Sequence, residues 1–266
     1  MDLENKNAII YGAGGSLGSA VAKALARAGA MVFLTGIRTV SVQKTANEII
    51  EFGGKVVVDK VDGFNETEIN NHIQKVIELA GTVDISFNAV GIEVKQNISL
   101  VILSSNDFVQ PVTQTLQTRF LTAKAAAIVM MRQRSGVILS LTATPGGIGY
   151  PYTGGFSAAC VAVETFATNL AAELGVYGIR VVNIRSAGSP DSKVFKQAIE
   201  SHPKEMEPIL KKMEADTMLK KLPSMMDIAN TAVFLCSPLA ASITGVTIDV
   251  TAGTTSGLNY RVEPVD

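Results

Sequence analysis

The chain has 266 residues, 47% apolar and 18% charged, which is enough to bury a sizeable core and too little charge for a disordered segment. Its 23 Lys and Arg against 24 Asp and Glu leave a net charge of -1, so electrostatics gives no case for nucleic acid or an anionic membrane as partner. Cys160 and Cys236 fit no metal or redox spacing, and His72 and His202 have no ligand-like companions, so no metal site is expected.

The N-terminal residues Asp2-Leu3-Glu4-Asn5-Lys6 lack the basic-then-apolar order of a signal peptide, and no apolar stretch approaches a membrane span. A cytoplasmic protein with reduced thiols is the expectation.

In chain order, an apolar run over Asn7–Tyr11 predicts a first strand. The turn Tyr11-Gly12-Ala13-Gly14-Gly15-Ser16-Leu17-Gly18 follows it. Leu17, Ala20, Val21, Ala24, Leu25 and Ala28 then recur at helical spacing until Gly29. Strand, glycine turn and helix in this order favour a dinucleotide site. Glycines let the backbone approach a pyrophosphate, and the helix N-terminus faces the anion. Further strands are predicted at Met31–Thr35, Lys55–Val61, Val83–Phe87, Val137–Leu141, Arg180–Ile184 and Thr247–Val250. Helices are predicted at Ser41–Phe52, Asn65–Ala80, Pro111–Arg134, Ser157–Leu174 and Met226–Cys236.

Near-continuous apolar strands alternating with helices predict an α/β fold, a Rossmann-type doubly wound parallel sheet of seven strands in a single domain over 1–266. Ser186–Pro223 is the least regular stretch and lies between the sixth and seventh strands. It is either a substrate lid or a solvated insertion.

The chain resembles the short-chain dehydrogenase/reductase family over nearly its whole length. The family's TGxxxGxG is matched by Tyr11–Gly18, with Tyr11 for Thr and Ser16 for the middle Gly. Asn88-Ala89-Val90-Gly91 stands where the family has NNAG, and Ala187-Gly188 where it has a PG turn. Asp227-Ile228-Ala229, Ile243-Thr244-Gly245 and the run from Asp249 to Gly253 follow its C-terminal pattern. The resemblance implies that Gly12, Gly14, Gly15, Ser16, Leu17 and Gly18 hold a dinucleotide, together with Asp62, Gly63, Asn88, Ala89, Gly91 and Gly188. Asp62 sits where the family's Asp holds the adenine ring. At the end of the second strand Gly36 replaces an acidic residue, and Arg38 follows. No carboxylate there repels a 2′-phosphate, so NADP(H) is favoured over NAD(H) unless Arg38 is only a solvated loop residue.

The family's reaction uses a Tyr to pass a proton, a Lys four residues on to lower the Tyr pKa and bind the nicotinamide ribose, a Ser, and an Asn. Aligned on YxASK, the Tyr position holds Phe156 and the Lys position Cys160. The Ser position holds Ala143, and the Asn falls near Thr115. The helix Ser157–Leu174 has no Lys or Arg. Thr142 and Tyr152 are the candidate substitutes. For the tyrosines of the loop Pro145–Gly155 the alternative is simple packing, and for Cys160 it is a small buried hydrophobe filling the space of a lost Lys.

Three functions follow. One is an oxidoreductase on a small carbonyl or alcohol with an altered proton donor. Another is an oxidoreductase on an activated C=C bond, where water can supply the second proton. The third is an inactive dinucleotide-binding sensor or partner subunit. Apolar residues on more than one face of the two long helices predict a homodimer or homotetramer.

Overall fold

The computed structural model of the chain describes residues 2–256. Seven strands form one parallel sheet in the order β3-β2-β1-β4-β5-β6-β7. They are β1 (Asn7–Tyr11), β2 (Met31–Thr35), β3 (Val56–Asp59), β4 (Ile85–Asn88), β5 (Gly136–Ala143), β6 (Ile179–Ser186) and β7 (Val246–Val250). The order reverses between β1 and β4. There the crossovers leave in opposite directions, and a crevice opens beyond the strand carboxyl ends.

All five residues of β1 are buried, and they alternate between two cores. Ala8 and Ile10 face the core shared with α1 (Ser16–Arg27), α2 (Thr39–Glu51) and α8 (Met225–Cys236). Ile9 and Tyr11 face the core under α3 (Glu66–Ala80), α4 (Ser105–Gln133) and α5 (Phe156–Leu174). A sheet covered on both faces explains why its inner strands read as unbroken apolar runs.

Several boundaries differ from the sequence expectation. α4 begins at Ser105 rather than Pro111: the Ser104 hydroxyl accepts from the Asp107 N–H at 3.1 Å and starts the helix early. Pro111 then sits inside the helix and removes one backbone hydrogen bond. β5 and β6 are longer than predicted and pair from Gly136↔Ile179 to Ala143↔Ser186, which carries both strands to the crevice. β3 is shorter, ending at Asp59. The segment between β6 and α8 holds two helices, α6 (Lys193–Ser201) and α7 (Pro203–Ala215), neither with a buried residue.

The expectation that no stretch is long enough for a membrane span needs correction. A 3-10 turn at Gly175–Tyr177 prolongs α5, and Phe156–Tyr177 passes by length and composition. In the fold this helix packs against α4, β5 and β6.

Candidate functional site

A cavity of about 630 Å³ lies in the crevice. Its floor is the glycine turn. Gly12 has φ +78°, and a Cβ there would stand 2.7 Å from the Ala89 carbonyl oxygen, so the turn and the loop after β4 touch through backbone. A Cβ on Gly14 would collide with Ser41 Oγ, and one on Gly18 with the Gly12 carbonyl. α1 starts after Gly15 with no side-chain cap. Its first N–H groups are left for a ligand, over a turn in which Gly12 and Gly18 leave no room for a Cβ. Gly12, Gly14, Gly15, Ser16, Leu17 and Gly18 all line the cavity.

One end of the cavity is walled by Gly36, Ile37, Arg38 and Ser41 after β2, and by Asp62 and Gly63 after β3. Arg38 is exposed and forms no ion pair among the described residues. Among the described residues Asp62 is the only carboxylate on the lining, and its Oδ1 accepts from the Phe64 N–H at 2.9 Å.

The inner end brings together Ala89, Gly91, Thr115, Arg119, Thr142, Ala143, Phe156, Ala159 and Cys160. The first turn of α5 thus offers a phenyl ring, a methyl group and a thiol. Burial pushes the Cys160 thiol up to about 11, outweighing a backbone hydrogen bond at Ala143 and the nearby Arg119 and Arg185. It is neutral at physiological pH. The Thr142 hydroxyl is committed elsewhere: it donates to Glu164 Oε1 at 2.8 Å and accepts from Asn183 Nδ2 at 2.7 Å. Glu164 is in turn held by Arg185 Nε at 3.1 Å, and Arg185 bonds Asp249 at 2.9 Å. This ion-pair network braces the back of the site.

Three expected positions are not on the lining. Asn88 is buried. Its Nδ2 donates to Thr122 Oγ1 at 2.9 Å and to the Thr118 carbonyl at 3.1 Å, and its Oδ1 accepts from the Val90 N–H at 3.0 Å. It ties the loop after β4 to α4. Gly188 lies under α6 and α7, where a Cβ would meet Met213 and Phe195 at 2.7 Å. Tyr152 sits at φ +60° on an exposed loop, 58% accessible, and its carbonyl accepts from the Asn97 N–H. Tyr150 is exposed on the same loop.

Arg119 was not foreseen. It is 7% exposed, and its Nη1 donates to the Val90 carbonyl at 3.0 Å. Burial pulls its guanidinium down to about 10, still a cation at neutral pH. Its position four residues after Thr115 was the available signal, because that spacing places both on one helix face. The segment after β6 also reaches the cavity, through Ser192 and Val194. The Lys193 N–H donates to Ser16 Oγ at 3.0 Å, which ties the start of α6 to the glycine turn.

The profile described as enoyl-(acyl carrier protein) reductase matches residues 12–255. The chain is 28% identical over 257 residues to the 7alpha-hydroxysteroid dehydrogenase of Escherichia coli strain K12, covering 97% of each. The structure superposes on that of levodione reductase with a TM-score of 0.87 at 23% identity, covering 95% of this chain and 98% of the other. It superposes on a gluconate 5-dehydrogenase from Burkholderia cenocepacia J2315, in complex with NADP and tartrate, with a TM-score of 0.86 at 20% identity, covering 97% and 98%. With the glycine bed, the parallel sheet and these matches together, the chain belongs to the short-chain dehydrogenase/reductase family of NAD(P)-dependent oxidoreductases.

Proposed function

We propose that the chain uses NADP(H) to reduce a small substrate at an activated C=C bond, with an active site that departs from the family's pattern. A small carbonyl or alcohol is the competing substrate class. The residues fit a dinucleotide: the uncapped N-terminus of α1 over a bed of glycines suits a pyrophosphate. In this reading Arg38 takes a 2′-phosphate and Asp62 faces the adenine. When bound, the dinucleotide supplies the hydride. α6 and α7 act as a lid over the substrate, a role supported by the contact between Lys193 and Ser16. Two buried free thiols, Cys160 and Cys236, support a cytoplasmic setting.

One observation carries the substrate class: at the inner end the positions of the family's phenol and ammonium hold Phe156, which has no proton to give, and Cys160, a buried neutral thiol, and the Thr142 hydroxyl is hydrogen-bonded away from the cavity. Ketone reduction must protonate a strongly basic alkoxide, and positioned acid catalysis contributes roughly 10²–10⁴-fold to such steps. Conjugate reduction makes an enolate, which water can protonate at carbon.

The test is NADPH oxidation with cyclohexenone and with cyclohexanone. The enone is expected to be turned over at least about 100-fold faster. In the double variant Phe156→Tyr with Cys160→Lys, cyclohexanone reduction should rise. Brisk native reduction of cyclohexanone would overturn the substrate class. Binding of NADPH with turnover of neither substrate class would instead favour a sensor or partner subunit.

A further inference from the structure

The polar groups of the cavity's inner end come from α4, not from α5. Thr115 and Arg119 stand one turn apart on the same face, and both line the cavity. The Thr115 hydroxyl forms no hydrogen bond that the structure records among the described residues. Arg119 Nε is buried and has no partner. Among the described residues Asp62, of the loop after β3, is the only carboxylate on the lining, and Arg119 makes no ion pair. A buried guanidinium with no counter-ion among the described residues destabilises the empty site, and a ligand oxygen at the part of Arg119 that lines the cavity offsets the cost.

We propose that Thr115 and Arg119 together form an oxygen-binding site, which holds the carbonyl oxygen of a conjugated substrate as that oxygen takes on negative charge. This rests on the proposed dinucleotide-dependent reduction. Hydride adds to the β-carbon and forms the new C–H bond. The C=C electron pair moves into the bond beside the carbonyl, and the carbonyl pair moves onto oxygen. The resulting enolate is held by the N–H of Arg119 and the hydroxyl of Thr115. The pair then returns, the α-carbon takes a proton from water, and the saturated carbonyl leaves with the dinucleotide oxidised. Arg119 keeps its proton throughout, so it steadies charge and does not act as an acid. Donors fixed before the reaction stabilise such an oxyanion far better in a closed site than in water.

The test uses para-nitrophenol as an enolate mimic, because its phenolate is coloured. In the presence of NADP⁺ the bound probe should titrate at least about one pH unit below the free probe, a roughly tenfold preference for the phenolate. Compared at saturating NADP⁺, Arg119→Met should lose this preference. Arg119→Lys should keep part of it, and Thr115→Val should reduce it. Circular dichroism and melting show whether each variant is folded. If Arg119→Met does not fold, the Lys and Val variants carry the comparison.

The proposal is overturned if the native chain does not bind the probe. It is also overturned if the phenolate preference is the same in every folded variant. NADP⁺ titration without the probe tests the cofactor reading alone. A chain that binds the dinucleotide but shows no phenolate preference loses only the oxygen site, and one that binds neither loses both.

Discussion

Arg38 and His72 show how one side chain's surroundings decide its work. Arg38 is exposed at the edge of the cavity, beside Gly36, where a carboxylate would repel a phosphate. NADPH is therefore expected to bind at least roughly tenfold tighter than NADH, about 1.4 kcal/mol. Arg38→Ala should bring the two affinities together while leaving NADH nearly unchanged. Equal affinities in the native chain, measured by titrating NAD(P)H fluorescence, would remove Arg38 from this role.

His72 lies inside the fold, with its ring edge-on to Tyr11 at 6.4 Å and neither nitrogen hydrogen-bonded. Its Nε2 is 3.5 Å from Asp59 Oδ2, which favours the imidazolium, yet Asp59 is already paired with Lys75. Burial dominates and lowers the histidine from 6.5 to about 4. Between those values the unfolded chain binds a proton that the folded chain refuses. Stability is therefore complete above about 6.5 and falls as the pH drops toward 4, by roughly 3 kcal/mol from this group. Melting curves at neutral pH and near pH 4.5 should show His72→Gln losing several degrees less than the native chain. Equal losses would mean that His72 is not the group responsible.

At the scale of elements, the segment between β6 and α8 carries the proposed lid. α6 and α7 bury no residue, while Ser192, Val194 and the Lys193 N–H reach the cavity and the glycine turn. Few buried contacts mean a low local opening free energy, and a bound dinucleotide adds contacts at the segment's start. Amide exchange over Lys193–Ala215 should therefore slow on addition of NADPH, and more than over α3, none of whose residues lines the cavity. Unchanged exchange in the segment with NADPH bound would leave it a surface insertion.

The sequence made the parallel sheet readable because strands buried on both faces cannot hide their apolar runs. The glycine turn was readable because no other residue fits the approach of Gly12 to Ala89. The start of α4 was misread because Pro111 looks like a first helical residue, whereas the cap at Ser104 begins the helix at Ser105, six residues before it. Arg119 and the tie from Thr142 through Glu164 to Arg185 were hidden for another reason. They join residues far apart in the chain; the spacing of Thr115 and Arg119 reports a shared helix face, but nothing local reports which residues that face or that tie will meet.

At the scale of the molecule, α4 and α5 pose a question that one chain alone does not answer. Each presents one face to the core: Thr118, Thr122 and Ala126 of α4 are buried, as are Val163, Ala167 and Ala171 of α5. Each also presents apolar side chains outward. Phe120 is 49% exposed and Val161 48%, and Ile128 and Phe108 are open as well. The Phe120 ring packs edge-on against Phe166 at 6.2 Å, which joins the two helices into one apolar face. Such a face is covered most simply by its own copy, because a twofold axis lets a single patch serve both sides. A homodimer or homotetramer built on α4 and α5 is therefore expected. Phe120 follows Arg119 directly, so the helix that meets the second copy is also the helix that turns Arg119 into the cavity. In sedimentation velocity the native chain should run well above its 28.0 kDa monomer mass, and Phe120→Glu should shift it toward that mass. If docking fixes the rotation of α4, the Phe120→Glu monomer should also bind NADPH several-fold more weakly, although residue 120 itself is not on the cavity lining. A native chain that sediments as a monomer at micromolar concentrations would end the assembly claim, and an assembled Phe120→Glu variant would move the interface to another face.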